Sequence, residues 1–361
     1  MTTLRVVAIP SSPMPLAPER LFASDNASGV HPRYLAALER ANAGHALAYG
    51  EDQATRQACA MFSELSGRHV ETLFTFGGTG ANVLALACLL GRAESVVCTE
   101  WAHIAVDETG APERALGVKL QTYPASDGKL KVEHIEAAVH ALGNVHHAQP
   151  GVVSISQPTE MGTLYSIDEI RSLCDTAHRF GLRVHLDGAR IGNAVAALGA
   201  KRDIFAAMTF DAGVDAVSFG GTKNAMLNAE AVLLADVDIS RRAPFLRKQV
   251  GQLPSKMRYT AAQFVEALSD DLWIATARAA NDAARSLKSA LSDLPGLGLV
   301  EPAVNSLYPT LPEPSRSVLQ EWSFFWDWDL SRDQVRWMTS WDTSGVDIER
   351  FAAGVRHVID R

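Results

Sequence analysis

Four kinds of residue in this 361-residue chain could do chemistry together if the fold brings them to one place. Lys223 lies in DAVSFGGTKNAM (Asp215–Met226), where an apolar stretch runs out into two glycines and a threonine. Asp187 ends another apolar run in HLDGAR, 36 residues earlier. Gly77, Gly78, Thr79 and Gly80 precede an apolar helical stretch in FTFGGTGANVLALACLL, and His103 follows the run SVVCTE in EWAHIAVDETG. Each has an ordinary reading in isolation: a solvated loop lysine, a helix cap or salt bridge to Arg190, a structural turn, a structural histidine. The glycine stretch also reads as a phosphate cradle. Glycines let the backbone come close, and a helix N-terminus offers unpaired N–H groups at the positive end of its dipole. It lacks the lysine of a Walker motif and the spacing of a dinucleotide loop.

Taken together the four are more specific. Pyridoxal 5'-phosphate needs an amine to bond its aldehyde and a carboxylate to keep its pyridine nitrogen protonated. It also needs a cradle for its phosphate and a ring to stack on the pyridine. The separation of Asp187 and Lys223 leaves room for a strand, a helix and a strand.

The elements that must position these residues are legible as short buried strands. SVVCTE (Ser95–Glu100), GVVSISQ (Gly151–Gln157), LRVHLDGAR (Leu182–Arg190), DAVSFGG and AVLLAD (Ala231–Asp236) are continuous apolar runs rich in β-branched residues. Helical stretches alternate with them, such as SIDEIRSLCDTAHRF, with Ser166 and Glu169 as a capping box and Gly181 as its stop. This alternation predicts an α/β fold with a mostly parallel sheet covered on both faces, which binds ligands outside the carboxyl ends of its strands. After about Pro244 the pattern changes. A helical stretch from Leu253 to about Leu291 leads into GLGLVEPAVNSLYPTL and SFFWDWDL…QVRWMTSWDT, read as strands, and a terminal helix from Asp347. The expected organisation is an N-terminal arm (1–20), a large domain (21–245) and a small α+β C-terminal domain (246–361). Five of the seven tryptophans fall within Trp322–Trp341. With few flanking basic residues, they read as core or subunit contact rather than a platform for nucleic-acid bases.

Composition agrees with small-molecule chemistry. Hydrophobic residues make up 47%, charged residues 20%, and the net charge is −8, which gives no basic surface for nucleic acid. Cys59, Cys88, Cys98 and Cys174 form no CxxC pair and read as free thiols in a reducing compartment, without disulfide or metal site. MTTLRVVAIPSSPMPLAPER is too short in apolar run for a signal peptide and reads as a mobile arm. VLALACLLG is too short to span a bilayer. A cytoplasmic location is expected.

The motifs FASDNASGVHP, GHALAYGEDQAT, FGGTGAN, AHIAVDETGAPE, HLDGAR, FGGTKN, QLPSKMR and RWMTSWDT, spread from Phe22 to Thr343, carry a resemblance. The chain resembles the threonine aldolase (β-eliminating lyase) family of fold-type I pyridoxal-phosphate enzymes, and within it the low-specificity L-threonine aldolase and phenylserine aldolase branch. The resemblance implies an aspartate aminotransferase-like large domain. It also implies reversible cleavage of a β-hydroxy-α-amino acid to glycine and an aldehyde, in a homo-oligomer that is a dimer of dimers. Lys223 and Asp187 keep the roles given above. Gly78, Thr79 and Gly80 resemble the phosphate loop, His103 the ring that stacks on the cofactor, and Thr222 a neighbour of the cofactor. Arg190 and Arg336 resemble the pair that holds the substrate carboxylate, with Arg336 pointing opposite to Trp337 and Trp341 by strand alternation. Arg258 with Lys248 resembles the group that reaches the phosphate from a neighbouring subunit. Ser24 and Asp25 resemble a loop near the substrate, and Tyr49 a residue at the site entrance.

One position departs from the family. Where many members carry a histidine near the substrate hydroxyl, this chain has Glu160, in QPTEMG. Glu160 is either the hydroxyl's hydrogen-bond partner, with a carboxyl pKa raised by burial, or a loop cap. The base is then His103, Glu160 or a positioned water. Two other readings stay open: β-elimination or racemisation on the same cofactor, and a non-catalytic phosphate- or nucleotide-binding protein using Gly77–Gly80.

Overall fold

In a computed structural model, which describes residues 13–359, the chain divides into two compact units. One is Val30–Thr276; the other combines the segment up to Gly29 with that from Ala277 onward. The first unit is built on seven strands: β1 (Glu71–Thr75), β2 (Glu94–Thr99), β3 (Lys119–Tyr123), β4 (Gln149–Ser156), β5 (Arg183–Gly188), β6 (Ala216–Gly220) and β7 (Glu230–Leu234). Their order is β1-β7-β6-β5-β4-β2-β3. From β6 through β5, β4 and β2 to β3 every pair is parallel, and β7 runs antiparallel to both β6 and β1. The carboxyl ends of β1 to β6 therefore share one edge with the amino end of β7. This is the mostly parallel α/β sheet expected.

Both faces of that sheet are filled. On one lies the helix Gly78–Leu89, buried without a break from Ala81 to Leu89, and Leu84 joins Leu73, Val96, Val152 and Val232 in one apolar cluster. On the other, Phe62, Phe74, Phe205, Phe219, Phe264 and Trp273 are all completely or almost completely buried. Phe74 stacks on Phe264 at 5.4 Å and Phe62 meets Phe219 edge-on at 5.2 Å. Each such side chain contributes about 1.5–3 kcal/mol by leaving water, so this aromatic layer fixes the helices around the strands. Because Phe264 and Trp273 belong to it, the first unit runs on past Pro244 to Thr276.

The five strands read from apolar runs are present, with ends shifted by one or two residues. β1 and β3 are additional. β3 (KLQTY) is an edge strand with no fully buried residue, so it carries no apolar run. The capping box forms: Ser166 Oγ accepts the Glu169 N–H at 3.1 Å, and a Glu169 carboxylate oxygen accepts the Ser166 N–H at 2.7 Å. The single helical stretch expected over Leu253–Leu291 is two helices, Arg258–Ser269 and Leu272–Ala290. They break at Asp270–Asp271, where Asp271 takes a left-handed φ of 57°.

The second unit holds a three-stranded antiparallel sheet, β8 (Ser306–Leu307), β9 (Trp326–Asp329) and β10 (Gln334–Met338), in the order β8-β10-β9. The stretch GLGLVEPAVNSLYPTL supplies only the two residues of β8, and a helix, Ser315–Trp322, intervenes before β9. The terminal helix is Gly345–Ile359, two residues earlier than expected at its start. Trp337 lies at the core against Phe325 and Phe351, and Trp322 stacks near Phe351, whereas Trp326 is 53% exposed. β10 ends at Met338, so the alternation that sets Arg336 opposite Trp337 does not extend to Trp341. Residues 1–12 of the expected arm lie outside the described residues. The part that is described is tied down: the Trp322 indole donates to the Pro15 carbonyl at 2.8 Å, and the N–H groups of Glu19 and Arg20 donate to Asp347 Oδ1. Among the described residues no helix is long and apolar enough to cross a membrane.

Candidate active site

β6 delivers Lys223. The strand ends at Gly220, and Thr222–Asn224 form a single 3-10 turn. Only glycine fits where this strand leaves the sheet. A Cβ on Gly220 would stand 2.3 Å from the Ala189 carbonyl oxygen, and one on Gly221 would stand 2.5 Å from that of Ala229. The turn is pinned from behind by Asn224, which donates to the Trp273 carbonyl at 2.7 Å and accepts from Thr276 Oγ1 at 2.8 Å. Thr222 takes part in this bracing. Its hydroxyl accepts the Ala229 N–H at 3.1 Å, and its own N–H reaches Glu230 Oε1 at 3.4 Å. It is not among the residues lining the pocket described below. Burial pushes the Glu230 carboxyl up to about 7, against the opposing pull of Thr222 and Lys223.

The adjacent strand β5 delivers Asp187, which is 7% exposed. Its Oδ1 accepts the Ala189 N–H at 2.9 Å and its Oδ2 accepts from Asn82 Nδ2 at 2.7 Å. Burial opposes its ionisation, but His103, His185, Lys223 and the Ala189 N–H outweigh burial and hold the carboxyl below the usual carboxylate range. Two residues back on the same face, His185 is wholly buried between Ser154 (2.9 Å) and Ser218 (3.0 Å), and burial lowers it to about 4. It is neutral at physiological pH and backs Asp187 as a packed polar row.

His103 begins the short helix His103–Val106 after β2. Its Nδ1 lies 2.8 Å from Glu108 Oε1, whose side chain is completely buried. The Glu108 contact raises its pKa against burial. The loop after β4 brings Glu160 to the same place. Glu160 Oε1 accepts the His103 backbone N–H at 2.9 Å and the Ser156 hydroxyl at 2.6 Å. Burial raises the Glu160 carboxyl, with Ser156 and the His103 N–H pulling the other way. Arg190 stands at the N-cap of the helix Ile191–Leu198. His103, Glu160, Asp187, Arg190 and Lys223 line one narrow pocket at the carboxyl ends of β2, β4, β5 and β6.

Gly78, Thr79 and Gly80 open the helix after β1, whose first backbone bond is Ala81 N–H to Gly77 carbonyl at 3.0 Å. They line a wide cavity of about 1180 Å3 that also includes Gln252 and Arg242. A Cβ on Gly80 would fall 2.3 Å from the Gln252 carboxamide, and Gln252 Oε1 accepts the Phe76 N–H at 3.1 Å. The helix that opens with this loop also reaches Asp187 through Asn82, which lies one turn on from Gly78, about 6 Å of rise. The donor set fits pyridoxal 5'-phosphate: an amine, an ionised buried carboxylate, a ring and a glycine cradle.

Other expected site residues have contacts of their own. Tyr49 is 52% exposed, with a left-handed φ of 60° and the Lys248 ammonium 5.7 Å from its ring centre. Arg258 donates to the Gly44 carbonyl at 3.2 Å and lies over the Tyr259 ring. None of these three lines the pocket of Lys223. Ser24, Asp25 and Arg336 belong to the second unit. There Ser24 Oγ accepts the Asn26 N–H, Asp25 is buried and accepts from Asn305 Nδ2 at 3.2 Å, and the Arg336 guanidinium stacks 5.0 Å from Trp328. Sequence reasoning missed Asn82, Glu108 and Gln252. All three stand inside the quoted motifs FGGTGAN, AHIAVDETGAPE and QLPSKMR, which was the only signal available.

A family model described as beta-eliminating lyase matches residues 22–311. A protein from Pseudomonas sp. called low specificity L-threonine aldolase is 40% identical over 342 residues, 94% of this chain and 97% of that protein. A solved structure of Leishmania major threonine aldolase aligns with a TM-score of 0.84 and 30% identity, over 93% of this chain and 98% of that one. An aspartate aminotransferase from Rhodobacter sphaeroides aligns over 97% of this chain and 94% of that one, with a TM-score of 0.70 at 18% identity, a likeness of fold alone. The fold is that of the fold-type I pyridoxal-phosphate enzymes. Both the extent of the family match and the depth of the sequence likeness mean that the chain belongs to the beta-eliminating lyase family.

Proposed function

We propose that this protein is a pyridoxal 5'-phosphate-dependent carbon–carbon lyase that splits β-hydroxy-α-amino acids of the L-threonine class into glycine and an aldehyde. The observation that carries this reading is the gathering of Lys223, Asp187, His103, Glu160 and Arg190 around one pocket at one edge of the sheet. The 40% identity to a low specificity L-threonine aldolase supports the substrate class. When bound, the cofactor supplies an electron sink, a protonated pyridine ring that takes up the electron pair of the broken Cα–Cβ bond. The chain's own residues do the rest.

Lys223 Nζ is the amine that holds the cofactor's aldehyde carbon. Asp187, ionised by its surroundings, keeps a proton on the ring nitrogen. The N–H groups of Gly78, Thr79 and Gly80 take the phosphate, and His103 offers the ring that covers the pyridine. Arg190 pairs with the substrate carboxylate through a charge-assisted fork. Cleavage requires the β-hydroxyl to give up its proton. Glu160, His103 or a positioned water receives it. Because burial raises the Glu160 carboxyl, it binds a proton more readily than an exposed carboxylate does. Tyr49 and Lys248 are exposed and Arg258 is half-buried, none of them lining the pocket, and we read the three as completing the phosphate site of a second copy. A cytoplasmic homo-oligomer fits this reading.

Product analysis tests it. Incubated with pyridoxal phosphate and L-threonine, the protein is expected to give glycine and acetaldehyde in equal amounts. 2-Oxobutanoate with ammonia, or an inverted amino acid with no aldehyde, would replace the reading with elimination or racemisation.

A further inference from the structure

We infer that Asn82 is a positioning residue of the site, whose carboxamide couples Asp187 to His103 by way of Glu108. The inference rests on the roles proposed above for Asp187 and His103. Asn82 lies in the first turns of the helix Gly78–Leu89 and is 2% exposed. Its single nitrogen, Nδ2, stands 2.7 Å from Asp187 Oδ2 and 2.8 Å from Glu108 Oε1. The same Glu108 oxygen is 2.8 Å from His103 Nδ1. The three contacts form a continuous chain from the carboxylate proposed for the pyridine nitrogen to the ring proposed to cover it.

The geometry gives the direction of each bond. Asn82 Nδ2 is the donor to both carboxyl oxygens, so the NH2 end faces both neighbours and gives one proton to each. No other side chain of this size does the same. Aspartate would bring a third carboxylate to two others, and leucine has the shape but no donor. Asn82 Oδ1 and Glu108 Oε2 are buried and have no hydrogen-bond partner among the described residues. A buried carboxamide that gives away both protons and receives nothing costs the fold, which marks it as placed for what it donates.

A consequence follows for His103. With Nδ1 against a carboxylate, the Nδ1 proton is held, and Nε2 is the nitrogen whose protonation changes. The charged groups around His103 are Glu108, Asp187 and Lys223, with Glu160 holding its backbone N–H. Asn82 competes with His103 for Glu108 Oε1 and so limits how strongly that oxygen favours the imidazolium. Loss of Asn82 hands the oxygen to His103 alone and takes from Asp187 one of its two donors among the described residues.

The test follows the His103 ring by NMR against pH in the full-length protein, with and without pyridoxal phosphate, alongside cofactor affinity by absorbance titration. Asn82→Leu is expected to raise the His103 midpoint by about half a unit or more, roughly threefold in proton affinity, and to weaken cofactor binding about tenfold. Asn82→Asp should move both readouts further in the same directions, and Glu108→Gln should lower the His103 midpoint. A packing role alone predicts weaker cofactor binding with an unmoved His103 titration, and that result would overturn the coupling. If Asn82→Leu does not fold, Asn82→Asp and Glu108→Gln decide between the same outcomes. Failure of the parent protein to take up the cofactor at all would strike the proposed function instead, because the ring titration without cofactor still reads the Asn82–Glu108–His103 chain.

Discussion

Replacing Asp187 by asparagine keeps shape and volume and changes only charge and one acceptor. Asp187 receives two hydrogen bonds, from Ala189 N–H at 2.9 Å and from Asn82 Nδ2 at 2.7 Å. In the variant one of those positions must be an NH2 group facing a donor, so one bond to a charged acceptor is lost. Such a bond is worth about 1.5–3 kcal/mol, and the cofactor-free protein should lose about that much at neutral pH. The sign with pH is fixed by the depressed carboxyl. A carboxylate whose folded pKa lies below its unfolded value of about 3.9 stabilises the fold above that value, and the stabilisation is lost as pH falls through the folded pKa. The gap between parent and variant should therefore be full at neutral pH and narrow below about pH 4. With cofactor and L-threonine the loss is larger, because a neutral partner no longer keeps the ring nitrogen protonated. A fall of about a hundredfold in kcat, about 2.7 kcal/mol, is expected. Urea melts at both pH values and steady-state threonine cleavage measure the two effects. A kcat within about twofold of the parent would reduce Asp187 to a structural cap, and an unchanged neutral-pH melt would refute the hydrogen-bond reasoning.

Glu160→Gln should preserve cofactor binding and depress threonine cleavage more than exchange of the glycine α-proton, since only cleavage handles the β-hydroxyl proton; an equal fall in both, or none, assigns that proton elsewhere. Arg190→Ala should raise KM for the amino acid about tenfold or more while leaving the cofactor's absorbance in place; an unchanged KM puts the substrate carboxylate at another site. Light scattering should find at least a dimer, and Arg258→Ala should weaken cofactor retention; a fully active monomer would remove Arg258 from a neighbour's phosphate.

The large sheet was legible because β2, β4, β5, β6 and β7 are buried on both faces and therefore read as unbroken apolar runs. β3 was not, because a partly exposed edge strand alternates polar and apolar residues. The same physics separates the site residues. Lys223, Asp187, His103, Glu160 and Arg190 lie at or just after strand ends, where a polar residue breaks an apolar run and draws the eye. Asn82 stands within a buried helix and Glu108 in an ordinary-looking loop. Their meaning comes from partners 105 and 26 residues away along the chain, which no local pattern encodes. The helix Leu272–Ala290 shows the limit from the other side. Helical periodicity was plain, but the left-handed Asp271 that separates it from Arg258–Ser269 leaves no mark in composition.

The central claim is that Lys223 carries the cofactor. Borohydride reduction of the protein loaded with pyridoxal phosphate, followed by peptide mass spectrometry, tests it directly. The account expects a phosphopyridoxyl group on the peptide that contains Lys223 and on no other, with the visible absorbance band absent from Lys223→Ala. Labelling of a different lysine, or an intact band in that variant, would contradict it.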